Sequence, residues 1–461
     1  MTLLRLIALF LAAASGVPCV GQTRDDDRYL AAAKGYAETM MAHGRDNYGP
    51  ASSPLFASAL DRSTKQLPSN PPDAPEGVRP QDRVLSGSNP MHDQNLYRLL
   101  YLLTDITQEP RYAKAADDAL RFFFTNCQHD ITGLLPWGEH LGWDFLKESV
   151  IEGRDIHEFY RPWLLWERCF DLSPQACDRF ARGLWEHQIF DKATGNFSRH
   201  ARFSRHGPQY NYEFPRHAGF FIATWGAAYA RTNSSYFLKA IETLVDSFER
   251  RRLSHGGFPA ATVHPKETWW GSDLSWAVDA WDAAASVPEP LKSKLREAAL
   301  KTDAAFLKAH SKGLPRKAAD FWTAGYGKAS STQTAMICLE RFRQTNNPRF
   351  RELALQSADA SLSAQAPSKE TLFPGTFGEL ISLNVAAFHL TNGQKYLSRA
   401  NTLADESLNL FWNDGPLPRA SSRHDHYEAI TRADTLALAL VELWAACQTP
   451  PRQFALRWAD R

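Results

Sequence analysis

Side chains able to bind a metal or move a proton crowd into one stretch of this chain, residues 129 to 217. Four clusters stand out. Trp137-Gly-Glu-His140 follows a Gly-Leu-Leu-Pro turn and precedes Asp144. Asp155-Ile-His157-Glu158 comes next and reads as the opening of a helix that carries Trp163 and Trp166. Trp185-Glu-His187 leads to Asp191 and then to Phe197-Ser-Arg199-His200-Ala201. The last is Tyr212-Glu213-Phe-Pro-Arg216-His217-Ala218-Gly219-Phe220. Neutral imidazoles joined by one carboxylate suit a divalent transition metal and leave coordination positions open for a substrate carboxylate. Paired carboxylates, such as Glu213 or Glu158 with Asp273 or Asp279, would suit glycoside hydrolysis instead. The ligand types are scattered rather than set as HExxH on one helix face, so spacing alone leaves both chemistries open beside ordinary core histidines. His187, on an apparently amphipathic helix, fits the core reading most readily.

Other segments offer candidates for the same rim. His92-Asp93-Gln94 precedes an amphipathic helix, where it can face a site or cap the helix. Trp269-Trp270, near Asp273, and Phe321-Trp322 with Tyr326 present flat rings that stack on sugars or fill core. Arg423-His424-Asp425-His426-Tyr427-Glu428 lies just before the last apolar helix and can close a site from the opposite side.

The elements that must position these groups are helical. Thr107-Gln-Glu-Pro-Arg-Tyr112, Thr345-Asn-Asn-Pro-Arg-Phe350 and Thr391-Asn-Gly-Gln-Lys-Tyr396 share one spacing, and Thr232-Asn-Ser-Ser-Tyr236 is the same signal shortened by a residue. Each aromatic is followed one helical turn later by Ala116, Ala354, Ala400 or Ala240. Thr or Asn closes one helix, a turn follows, and the aromatic staples the first turn of the next. An apolar helix precedes each signal, as over Asn95 to Leu103 and Phe377 to Leu390. The unit is a helical hairpin of about 50 residues, irregularly repeated, which fits a closed (α/α) barrel or toroid better than the shorter, stricter solenoid periods. The polar, Pro-rich stretch Ser63 to Gly87 reads as a long loop. An all-α, single (α/α)-barrel domain over residues 22–461 is expected, with function on the loops of one rim.

Composition narrows the class further. Lys and Arg number 52 against 51 Asp and Glu, so no basic surface invites nucleic acid or anionic membrane. Hydrophobic residues make up 44% and charged residues 22% of the 461, the balance of an ordinary folded protein. Arg5, the apolar run Leu6 to Ala14 and small residues around Ala14-Ser-Gly16 and Cys19-Val-Gly21 form a three-part leader over residues 1–21, which predicts a periplasmic or secreted protein. Beyond it Cys127, Cys169, Cys177, Cys338 and Cys447, odd in number and without CxxC, predict buried thiols rather than a disulfide framework.

The order of the four clusters resembles the periplasmic pectate lyases of polysaccharide lyase family 2. The likeness lies in WGEH followed by Asp, in the HE pair, and in WxHQIxD leading to FSRHA. Tyr48-Gly-Pro50, Pro54-Leu-Phe56 and Asn95-Leu-Tyr-Arg-Leu-Leu100 look like the opening of the same family, so the likeness runs over residues 46–220. It implies an (α/α) toroid that cleaves polygalacturonate or a similar uronate polymer by β-elimination with a divalent metal such as manganese. Carried over by motif, His140, Glu158 and His200 would be the metal ligands and Arg199 the residue that takes the C5 proton. Glu139 stands where the family pattern has Gly. Because a guanidinium stays protonated near neutral pH, His157 or His187 is the fallback base, with Arg199 then clamping the substrate carboxylate. Arg216, His217, Trp137, Tyr212, Trp270 and His92 complete the expected substrate-binding set. The competing classes are a hydrolase on the same toroid and a non-catalytic carbohydrate binder.

Overall fold

A computed structural model describes residues 27–210, 212–322 and 330–461, so the expected leader and Tyr326 lie outside the described residues. The helices, in order, are α1 (Asp27–His43), α2 (Gln94–Thr107), α3 (Pro110–Asn126), α4 (Trp166–Leu172), α5 (Pro174–Gly183), α6 (Pro215–Thr232), α7 (Ser235–Arg251), α8 (Trp270–Ser286) and α9 (Leu291–Ala309). They continue as α10 (Ala318–Phe321), α11 (Ser331–Thr345), α12 (Pro348–Ser361), α13 (Pro374–Thr391), α14 (Gln394–Phe411) and α15 (Ala433–Ala446).

The four Thr signals fall at the corners of helical hairpins. In each, the Thr hydroxyl donates to the carbonyl four residues back at 2.7 Å, as Thr107 does to Leu103 and Thr391 to Ala387. The same oxygen accepts from the amide two residues on. The residue between them, Gln108, Asn233, Asn346 or Asn392, turns the chain with φ from 53° to 62°. Asn takes this left-handed conformation at little cost, which explains its recurrence after the Thr.

Apolar composition then sorts the hairpins into two layers. α6, α8, α11, α13 and α15, buried along most of their length, pack side by side in that order, while α7, α9, α12 and α14 cover them from outside. α2 meets α15 on one side and α3 on the other, α3 leads through α4 to α6, and the ring closes. The fold is all-α, an (α/α) toroid. Residues near 454–461 run into its bore, where Arg461 pairs with Asp279 of α8 and Asp460 accepts from Thr435 of α15. The tail thus ends beside the opening turns of α8 and α15, where Arg461 also binds Ser275. Cys127, Cys169, Cys177 and Cys338 are buried free thiols as expected, whereas Cys447, just past α15, is only half-buried.

Candidate functional site

The segment expected to open a helix at His157-Glu158 is instead a strand, Ile156–Glu158, antiparallel to His200–Arg202, which pairs in turn with Pro208–Tyr210. Glu158 lies opposite His200, and His157 opposite Ala201. Successive strand side chains face opposite ways, so this register sends Glu158 and His200 to one face and His157 to the other. The Glu158 carboxylate is buried with a partner on each oxygen. Its Oε2 lies 3.0 Å from His200 Nε2, and its Oε1 lies 3.0 Å from His217 Nε2 and 3.2 Å from an Arg199 guanidinium nitrogen.

The WGEH loop is pressed against this strand. Gly138 bridges Glu158 in parallel with φ +109°, and a Cβ there would come within 2.0 Å of the Glu158 carbonyl oxygen, so only glycine fits. Buried Asn89 fastens the loop by donating to the carbonyls of Gly138 and Leu141 at 2.7 and 3.2 Å. The next two residues thereby reach the carboxylate: His140 Nε2 lies 3.5 Å from Glu158 Oε2 and 3.4 Å from Glu139 Oε2. One donor atom from each of Glu139, His140, Glu158 and His200 lies within 4.8 Å of every other. The ligand triad expected from sequence, His140, Glu158 and His200, converges here.

Electrostatics fit a cation at this point. Burial and the adjacent Glu158 carboxylate push Glu139 up, and the two share a hydrogen bond. Burial works on Glu158 too, but hydrogen bonds from His200 and His217 and the Arg199 charge overcome it and hold Glu158 well below the usual carboxylate range. Burial lowers His200, and takes His217 down to about 4. A half-buried and a buried carboxylate in contact favour a shared proton or a cation between them, and neutral imidazoles are the form that ligates metals. The donor set of two nitrogens and two oxygens thus fits a divalent cation.

Several expected residues stand elsewhere. Trp137 is fully buried, stacked parallel to Phe159 at 5.7 Å and edge-on to Phe180, so it is core and offers no face to a sugar. His157 is buried behind the strand against Phe180, and His187 is buried in the irregular turn Leu184–Gln188 with its ring 4.4 Å from that of His206. Neither fallback base faces the carboxylate cluster. His217, expected on substrate, fastens Glu158 instead. His92 is buried edge-on to Tyr160, and Arg161 and Arg154 lie close enough to disfavour its charge. Trp270 is half-buried edge-on to Phe306 and His310, whereas the neighbouring Trp269 is 41% exposed and stacks on Phe214 at 4.9 Å. Phe214 and Tyr212 lie beneath the Arg199 guanidinium, 5.2 and 5.6 Å from its central carbon. Phe214 is itself buried between them, so the aromatic surface left accessible is Trp269 and, in part, Tyr212. Phe321 and Trp322 are core.

The carboxylates considered for hydrolysis are engaged. Glu213 accepts from the Thr262 amide and hydroxyl, and Asp279 is locked to Arg461. Asp273 accepts from the Phe258 amide and is buried out of reach of solvent. His426–Glu428 forms a strand with Ala59–Asp61, and Glu428 there takes a two-pronged bond from Arg83. Sequence reasoning missed three residues of the site, Asn89, Asp82 and Arg79. Asp82 Oδ1 lies 2.9 Å from His140 Nδ1, and Arg79 binds both Asp82 and Glu139. All three come from or just follow the Pro-rich stretch, whose length was itself the signal, since long ordered loops are commonly functional.

Comparison with known proteins bears on the same region. A family model described as periplasmic pectate lyase matches residues 53–242. A pectate disaccharide-lyase of Dickeya dadantii (strain 3937) is 25% identical over 187 residues, 39% of this chain and 32% of that protein. The match thus spans about a third of the length of that relative. Among solved structures, an unsaturated glucuronyl hydrolase specific for heparin superposes with a TM-score of 0.47 at 12% identity, over 93% of this chain and 100% of that one. A D-mannose isomerase superposes with a TM-score of 0.46 at 10% identity, over 92% of this chain and 99% of that one. The resemblance to the pectate lyases therefore holds over a segment, the one that carries the carboxylate cluster.

Proposed function

We propose that this chain is an exported polysaccharide lyase that cleaves a uronate-containing, pectate-like polymer by β-elimination. The observation that carries the reading is the convergence of His140, Glu158 and His200, far apart in sequence, with Arg199 beside them at the mouth. A manganese-like divalent cation held by those three residues would act as a Lewis acid on the uronate carboxylate and make the C5 proton easier to remove.

The chain's own residues divide the remaining work. His217 holds the second oxygen of Glu158, which keeps the carboxylate turned toward His140 and His200. Arg199 is the group assigned to the reacting edge of the sugar. In its charged form its planar fork clamps a carboxylate, and it would accept the C5 proton only where a bound cation and neighbouring positive groups disfavour its charge. With His157 and His187 behind the strand, no histidine among the sequence candidates competes for that proton. Trp269, backed by buried Phe214, and the half-buried Tyr212 supply a stacking surface for the neighbouring sugar. An exported location is part of the proposal; among the described residues no helix is long and apolar enough to cross a membrane.

The product tests this reading. Elimination yields an unsaturated uronate that absorbs in the ultraviolet and consumes no water, and it should stop when a chelator is added and resume with manganese. A new reducing end without that chromophore would establish hydrolysis instead, and binding without turnover would leave a carbohydrate-binding protein.

A further inference from the structure

The metal-capable cluster has a second tier that comes from the Pro-rich loop between α1 and α2. The short turn Pro80–Asp82 brings Asp82, fully buried, under the His140 ring, with Oδ1 2.9 Å from Nδ1. A carboxylate only accepts, so Nδ1 is the donor to Asp82, and Nε2 is the ring nitrogen turned toward Glu139 and Glu158. The other Asp82 oxygen takes Arg79 Nε at 2.6 Å. The same guanidinium reaches Glu139 Oε1 through its terminal nitrogen, leaving Glu139 Oε2 turned toward His140 Nε2. One arginine thus ties the carboxylate that orients His140 to a carboxylate inside the cluster.

We propose that Glu139 is a fourth protein ligand of the metal centre and that Arg79 and Asp82 are positioning residues that set Glu139 and His140 in place. The proposal rests on the metal reading above and adds to it in a definite way. A centre with two imidazoles and one carboxylate keeps a net positive charge with a divalent ion; the second carboxylate neutralises it. Neutralisation strengthens retention of the ion and leaves fewer positions for substrate oxygens. It also draws the loop into the site, because the cation is then held by side chains whose orientation the loop decides. Carboxylate partners behind a ligating imidazole typically change metal affinity by about 10–100-fold when removed.

Isothermal titration of metal-free full-length protein with manganese(II) or cobalt(II) tests this, with the visible spectrum of the cobalt form as a second readout. Glu139→Gln is expected to lower affinity by about 10–100-fold and to alter the cobalt spectrum, with the melting temperature of the metal-free protein unchanged. Arg79→Gln should weaken binding too, and adding it to Glu139→Gln should cost little more, because it acts through Glu139. Asp82→Ala should weaken binding, and Asp82→Asn, which still accepts from Nδ1, should restore part of it. Glu139→Gln with wild-type affinity and an unchanged cobalt spectrum would overturn the fourth ligand. Loss of metal-free melting temperature in Asp82→Ala and in Asp82→Asn alike, without a change in affinity, would overturn the positioning role. Wild-type protein that takes up neither ion overturns the metal reading itself, a separate outcome.

Discussion

The strand Ile156–Glu158 carries adjacent residues that face different worlds. On one side Glu158 gathers His140, His200, His217 and Arg199 around a single carboxylate. On the other, His157 and His187 are buried against Phe180 and His206 without a carboxylate at hydrogen-bonding distance. Burial depresses imidazoles on both sides, His157 to about 3, His187 to about 4 and His217 to about 4. Neutrality is therefore common to the two groups and does not make a site. What distinguishes the front face is the carboxylate, which supplies the charge that a cation needs and the acceptor that fixes each ring's orientation. Histidines alone, however clustered in sequence, remain core.

The largest test of that contrast is Glu158→Gln. It leaves the imidazoles in place but removes the charge they surround, so divalent-cation affinity and formation of unsaturated product should fall by well over ~100-fold, beyond the loss typical of an outer partner. Unchanged uptake in a metal titration would show that the histidines suffice and would erase the distinction. Next in size is Arg199→Lys, which keeps the charge but loses the planar fork. Elimination should drop by about 10²-fold or more, the usual scale of an acid–base contribution. Arg216→Lys is its control at the neighbouring Arg-His pair. Should the control abolish activity while Arg199→Lys retains it, the reacting edge belongs to Arg216.

Smaller effects are expected from the back face. His157→Ala empties a packed position beside Phe180 and should cost about 2–3 kcal/mol of stability by chemical denaturation, within the range of core truncations. Metal affinity should stay within about threefold, because residues on the far side of a strand couple weakly to the cluster. A loss of metal without a loss of stability would place His157 in the site after all. The smallest effect is a slope. His157 and His187 have folded pKa values depressed to about 3 and about 4, below the ordinary histidine value. Their neutral burial contributes stability that is present above pH ~6.5 and is lost as pH falls toward 4 and 3, because the unfolded chain binds those protons first. The melting temperature of wild-type protein should decline over that window. His157→Gln with His187→Gln should flatten the decline; an equally steep acid limb in the double variant would assign it to other groups.

The helical hairpins were legible because their signals are local. A Thr hydroxyl that bonds one turn back, an Asn that tolerates positive φ, and an aromatic with Ala a turn later act within a few residues. Their spacing therefore survives in the sequence at Thr107, Thr232, Thr345 and Thr391. The convergence of His140, Glu158 and His200 was legible by resemblance, and the structure brings the three together in a group able to hold a metal. Trp137 and the fallback bases were not, because whether an aromatic or a histidine faces substrate or core depends on which side of a strand it occupies. The sequence read as a helix at His157-Glu158 gave no means of choosing that side.

The sequence by itself determined the helix pairs, their turns and the supply of imidazoles, carboxylates and aromatics, since each follows from propensities and bonds reaching no further than a helical turn. Tertiary structure decided which of those groups meet. Register between Ile156–Glu158 and His200–Arg202 turned Glu158 toward His200 and His157 away from it. The close approach at Gly138 brought Glu139 and His140 to the same point, and a loop without any recognisable motif delivered Asp82 and Arg79 behind them. Such meetings are set by strand register and by chain packing over distances of tens of residues, where no local preference records them.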